Sequence, residues 1–342
     1  MKHGRFSYHL HEGAGPDLLP VAKRAESLGL DTLWSQELHS TPFIPLAAVA
    51  AHVRRVRLGS GIALAFVRSP LETALSALDM DAVTDGRFVL GLGTGVQRLN
   101  ERWHGVQNYG RPAPHLKECV QVVRMIIEKA HAGQPMRFKG QYYDIDIVGY
   151  QRPVKPVRPT IPIYVAAVGE GMCRAAGEVG DGLIGHALLT PKWCREVIQP
   201  NVRIGLTRSG RDPSRFQVLP SLTIAISRDR QEARRDAAGM VSFYASVRTY
   251  EPYMAYHGFQ EEARRVQDAF RKNGGFGPSV TDCVTEEMVD VFTAAGTPDD
   301  VRQQVRRYDD MADHVMVSEP GYFISEEKRR AYRDALFDLL AN

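Results

Sequence analysis

The chain has little of what usually settles a protein's class quickly. Its 342 residues hold four cysteines, Cys119, Cys173, Cys194 and Cys283, at none of the paired spacings that zinc sites or redox motifs use. That pattern excludes a disulfide framework and makes a reduced, cytoplasmic compartment the expectation. No uninterrupted apolar run approaches the roughly 20 residues of a membrane span, and the opening Met1-Lys-His-Gly-Arg-Phe moves straight into a strand-like run. Neither export nor membrane insertion is expected. The net charge of +3 is small and dispersed, which argues against nucleic acid as a partner but would not repel an anionic cofactor.

Familiar catalytic signatures are missing as well. There is no Gly-x-Ser-x-Gly elbow and no cysteine in a recognisable nucleophile motif, so a hydrolase has no support. His9 and His11 have strand-like spacing, but only Glu37 or His39 would complete a ligand set with them, and no metal is expected.

What is present is an alternation of β-rich runs with helical patterns, in a chain with 44% hydrophobic side chains and ample core. Strands are expected at 5–10, 31–35, 56–64, 88–92, 163–167, 182–185, 217–226 and 314–318. Helices are expected at 17–28, 45–52, 70–83, 115–130 and 325–340, with a small hairpin at 137–147. Eight such units predict an α/β fold, a closed (β/α)8 TIM barrel forming one domain over 1–342. The excess length, approximately 228–298, reads as a helical insertion between strands seven and eight.

The most informative segment is Gly86-Arg-Phe-Val-Leu-Gly-Leu-Gly-Thr-Gly-Val96, an apolar run ending in glycines at alternate positions. Bare backbone N–H groups at a strand's carboxyl end suit a phosphate. The turn Val168-Gly-Glu-Gly-Met172 after the fifth strand offers the same, and two such turns side by side form a candidate clamp. A dinucleotide fold does not fit: the glycine spacing is not Gly-x-Gly-x-x-Gly, and the turn follows a fourth strand.

Four segments carry a resemblance: Leu58-Gly-Ser-Gly-Ile-Ala, Arg68-Ser-Pro-Leu, the run from Leu78 to Gly95, and Pro162-Ile-Tyr-Val-Ala-Ala-Val-Gly. With Gly180-Asp-Gly-Leu-Ile and Gly296-Thr-Pro-Asp-Asp-Val, they resemble the bacterial luciferase-like family of flavin- and deazaflavin-dependent oxidoreductases over most of the chain. The pattern Gly-Arg-Phe-x-Leu-Gly-Leu-Gly-Thr-Gly is most similar to the branch that uses coenzyme F420.

The resemblance implies hydride transfer between F420 and an organic substrate, with Thr94, Gly95, Val96, Val168, Gly169, Glu170, Gly171 and Met172 holding the phosphate. It implies a cis peptide at Gly61–Ile62, so that Gly61, Ile62 and Ala63 lie behind the cofactor ring. It also places Glu37 near the ring's polar edge as a proton-handling group, with His39 beside it. Phe66, Trp103, His186, Tyr250 and Tyr253 are the expected substrate walls.

Two residues depart from the family pattern. Leu38 stands where several relatives carry a catalytic histidine, and Val96 where the sugar-phosphate dehydrogenases carry a glutamate, which argues against sugar-phosphate oxidation. The alternatives are a monooxygenase using reduced FMN and oxygen, and a non-catalytic flavin-binding barrel. Family likeness further implies a homodimer, and a separate flavin or F420 reductase as redox partner.

Overall fold

Eight short parallel strands, mostly apolar and completely or nearly buried, set the frame of the computed structural model, which describes residues 5–11, 15–38, 40–309, 311 and 314–341. They are β1 (Phe6–Leu10), β2 (Thr32–Ser35), β3 (Arg57–Ser60), β4 (Phe88–Gly93), β5 (Ile163–Ala166), β6 (Gly182–Ile184), β7 (Gln217–Leu219 continued by Ser221–Ile226) and β8 (Val315–Ser318). Each pairs with its neighbour in sequence order from β1 to β6. The first half of β7 pairs with β6, its second half with β8, and β8 returns to β1 through Phe6↔Val315.

Pro220 divides β7 because proline has no N–H to give to the ladder. Its carbonyl still accepts from Met316 N–H at 2.8 Å, so the sheet closes on itself through the chain. The result is the expected (β/α)8 barrel.

Alternation along the strands separates two cores. Leu33, Leu58, Phe88, Leu90, Ile163 and Leu183 face the surrounding helices. Trp34, Val89, Tyr164, Ile184, Leu219 and Met316 fill the barrel itself. Trp34 dominates that interior. A Cβ on Gly59 would lie 2.5 Å from its ring and one on Gly61 2.9 Å from its Cβ, so the glycine in β3 and the one just after it make room for the indole.

The helices begin where local chemistry directs. Pro70–Val83 has Pro70 at its first turn, and the Ser69 side chain accepts Glu72 N–H at 3.1 Å. Pro298–Val305 begins with a capping box of Thr297 and Asp300.

The cis Gly61–Ile62 peptide is present as expected. Three features differ from the sequence reading. The third strand, expected as one run over 56–64, stops at Ser60 and resumes beyond that bond as Ala63–Leu64 against Leu92 and Gly93. A short helix, Gln97–Trp103, follows the glycine turn. The stretch 228–298 carries helices Arg230–Ala245, Glu251–Tyr256, Gln260–Asn273 and Glu286–Phe292, and it then supplies a further strand, Thr293–Gly296, parallel to β7.

Candidate active site

The glycines of the opening motif do separate jobs, which corrects the reading that all three bare the backbone. A Cβ on Gly91 would lie 2.0 Å from the Ser60 carbonyl oxygen, and one on Gly93 2.6 Å from Ile62 Cδ1. These two glycines admit the bent third strand. Where the strands crowd, the Ser60 hydroxyl donates to Gly91 O at 2.8 Å and accepts from Gly91 N–H at 2.9 Å.

Only Gly95 belongs to the turn, with φ +63 and a Cβ position 2.5 Å from Leu64 Cδ2. All three turn carbonyls are tied from behind. The amide of Asn100, wholly buried, donates to Thr94 O at 2.9 Å and Val96 O at 3.0 Å, and the Tyr109 hydroxyl donates to Gly95 O at 2.8 Å. Fixing the carbonyls fixes the peptide planes, so the N–H groups of an exposed turn are preorganised.

The second turn lies beside the first because β4 and β5 are parallel neighbours, with Leu92 opposite Val165. Here Trp193 Nε1–H donates to Val168 O at 3.0 Å, and Gly169 caps the helix Glu170–Val179. The first N–H groups of a helix have no intrahelical acceptor. A Cβ on Gly169 or Gly171 would meet nothing within 4 Å among the described residues. No packing demand explains these two glycines, whereas a ligand approaching the backbone would.

Around the third-strand bend, Glu37 is anchored. Its carboxylate accepts Leu64 N–H at 2.7 Å and both ends of the Arg68 guanidinium, and its own N–H donates to Ile62 O at 3.0 Å. Glu37 therefore clamps the segment Ile62–Leu64 across the bend. His39 lies outside the described residues. His9 reaches the bend from β1, its Nε2 3.3 Å from Gly61 O; burial lowers its pKa to about 4 despite that bond, keeping the ring neutral.

The expected substrate walls divide. His186, after β6, meets Tyr244 at 4.3 Å and Tyr250 at 4.5 Å between ring centroids. Leu188 N–H donates to His186 Nδ1 at 3.3 Å, and burial lowers this histidine's pKa to about 3, which leaves Nε2 as the protonated nitrogen of a neutral ring. Trp103 is exposed on the rim.

Phe66 and Tyr253 are placed elsewhere. Phe66 stacks on His115 at 3.8 Å and packs edge-on against Tyr109 at 5.3 Å, and so supports the residue that holds Gly95. Tyr253 is buried in the inserted helices, where its hydroxyl accepts Thr190 N–H at 3.1 Å and donates to Leu188 O. Asn100 and Tyr109 were missed by sequence reasoning, which noted Arg68 and Tyr244 without giving them a site role. For Asn100 a signal existed, since a polar residue four places after Val96 can reach back to the turn it follows.

Comparisons with known proteins bear on the family and the fold. The luciferase-like monooxygenase family model matches residues 3–314. The 5,10-methylenetetrahydromethanopterin reductase of Archaeoglobus fulgidus is 29% identical over 296 residues, 83% of each chain. The F420-dependent glucose-6-phosphate dehydrogenase of Intrasporangium calvum is 29% identical over 332 residues, 91% of each. Among solved structures, the coenzyme F420 dependent tetrahydromethanopterin reductase from Methanopyrus kandleri superimposes with a TM-score of 0.82. It is 22% identical, and the match covers 100% of this chain and 98% of that one.

Proposed function

The chain belongs to the luciferase-like monooxygenase family, and we propose that it transfers a hydride between coenzyme F420 and a small organic substrate. One observation carries this reading: the turn Thr94–Val96 has every carbonyl bonded from behind, next to a second turn whose glycines no packing contact requires. Such a cradle fits a phosphate group, and relatives named for F420 match most of the chain.

When bound, the deazaflavin supplies or accepts a hydride at ring carbon C5. The protein's own part is to bind, orient and exclude water. Backbone N–H groups of Gly95, Val96 and Gly169 to Met172 hold the phosphate. Gly61, Ile62 and Ala63 would back the ring, and Glu37, with both oxygens engaged, keeps that segment in place as a positioning residue. The proton-handling role is left to His39 or to His186, whose Nε2–H offers a hydrogen bond to an acceptor atom on the substrate. Tyr244 and Tyr250 give that substrate an aromatic wall. Leu38 and Val96 argue against a sugar phosphate. The active form is a homodimer, with Ile44 and Val83 exposed on the helices after β2 and the third strand as interface material.

The test is a titration followed by F420 fluorescence polarisation, with FMN as competitor. Saturable F420 binding that FMN does not displace is expected. Tight FMN binding with no response to F420 would overturn the reading and favour oxygen chemistry.

A further inference from the structure

A cavity lies at the opposite, amino-terminal end of the barrel, away from both turns. Its volume is about 200 Å³, roughly the share of six or seven liquid waters. Asp31 precedes β2, Arg57 opens β3, Gln217 opens β7 and His314 precedes β8, so the lining comes from the strand starts. Ser7 and Trp34 reach it from inside the barrel.

The polar groups of this cavity are unevenly paired. Two of its acceptors are committed: Asp31 Oδ2 takes Thr32 Oγ1–H at 2.6 Å and an Arg57 Nη2–H, and Gln217 Oε1 takes the Tyr164 hydroxyl. Its donors are not. Trp34 Nε1, Ser7 Oγ and Arg57 Nε have no hydrogen-bond partner among the described residues, although Trp34 is 1% exposed and Ser7 0%. An indole N–H and a guanidinium Nε–H can only donate, and such groups left unpaired in a dry interior are costly. An occupant must therefore bring acceptors. Phe216, Val218 and Leu219 on the same wall provide an apolar surface.

We propose that this cavity is a binding site for a small monocarboxylate, its carboxylate oxygens received by Trp34 Nε1–H, Ser7 Oγ–H and Arg57, and its short apolar tail laid against Leu219 and Phe216. The Arg57 guanidinium, ion-paired with Asp31 through its outer nitrogen, keeps its Nε–H as a further donor toward the carboxylate. The proposal does not rest on the F420 reading: none of its donors belongs to the cofactor set, although Trp34 packs against Gly61.

Calorimetric titration of the intact protein with butyrate, at constant ionic strength, tests this. Saturable one-to-one binding is expected, about tenfold or more tighter than for butylammonium, and undiminished when F420 is present. Trp34→Phe, which keeps an aromatic ring but removes the N–H, and Ser7→Ala, which is the milder variant should the first fold poorly, should each weaken butyrate by about fivefold to tenfold. The proposal is overturned by non-saturable heats, by equal affinity for butylammonium, by displacement of butyrate with F420, or by unchanged affinity in a folded Ser7→Ala protein.

Discussion

At the scale of single residues, the account turns on Asn100. A wholly buried amide that donates to Thr94 O and Val96 O fixes the turn more firmly than the glycines do. Asn100→Ala should leave Thr94 O without its donor and Val96 O with only the backbone N–H of residue 100, and destabilise the fold by about 1–3 kcal/mol. It should also weaken F420 binding by about tenfold or more, because a turn free to rotate loses its preorganised donors. Parallel urea melts and F420 titrations of the variant check both numbers.

The residues differ in how far the sequence revealed them. Gly95 is legible because a left-handed turn after a strand demands glycine, and its φ of +63 agrees. Gly91 and Gly93 look identical to it in the sequence. Their reason lies 31 residues earlier, in the Ser60 carbonyl and the Ile62 side chain that need their missing Cβ atoms. Glu37 is legible as a position but not as a partner of Arg68, because that pairing depends on a bend in the third strand.

At the scale of elements, the legible pieces are those with local causes. Pro70–Val83 is bounded by a serine cap and a proline at its start, and its ends match the reading to the residue. The strand Thr293–Gly296 was invisible because its short run of small residues gains strand geometry only by pairing with β7. The division of β7 at Pro220 is a tertiary matter too, settled by Met316 N–H meeting a proline carbonyl.

One element gives a direct test. The hairpin Met136–Lys139 and Asp144–Ile147 is fastened to the helix Pro112–Lys129 by Glu118, whose carboxylate accepts the N–H groups of Gln141, Tyr142 and Tyr143 at 2.8, 2.8 and 3.2 Å. Glu118→Ala should cost about 1–3 kcal/mol. Hydrogen exchange should show faster exchange at residues 140–143, with the barrel strands unchanged.

At the scale of the whole molecule, stability should depend on pH through histidines kept neutral by burial. His9 has a pKa near 4 in the fold against 6.5 unperturbed, so the unfolded chain binds the proton more readily. Stability from the neutral ring is complete above about pH 6.5 and drains away as pH falls toward 4. Between pH 7.5 and pH 5 the loss from His9 alone should be roughly 2 kcal/mol. Urea midpoints at the two pH values should therefore differ less in His9→Gln than in the unaltered protein. His186 adds to the same trend, since burial lowers its pKa to about 3.

The central claim is that two neighbouring turns at the carboxyl end of β4 and β5 hold the phosphate of F420. Amide NMR of the labelled protein, recorded with and without F420, tests it most directly. The amide protons of Gly95, Val96, Gly169 and Gly171 should move downfield together and saturate with the same affinity as the fluorescence titration. If F420 binds while those four resonances stay in place, the phosphate lies elsewhere and the account is wrong.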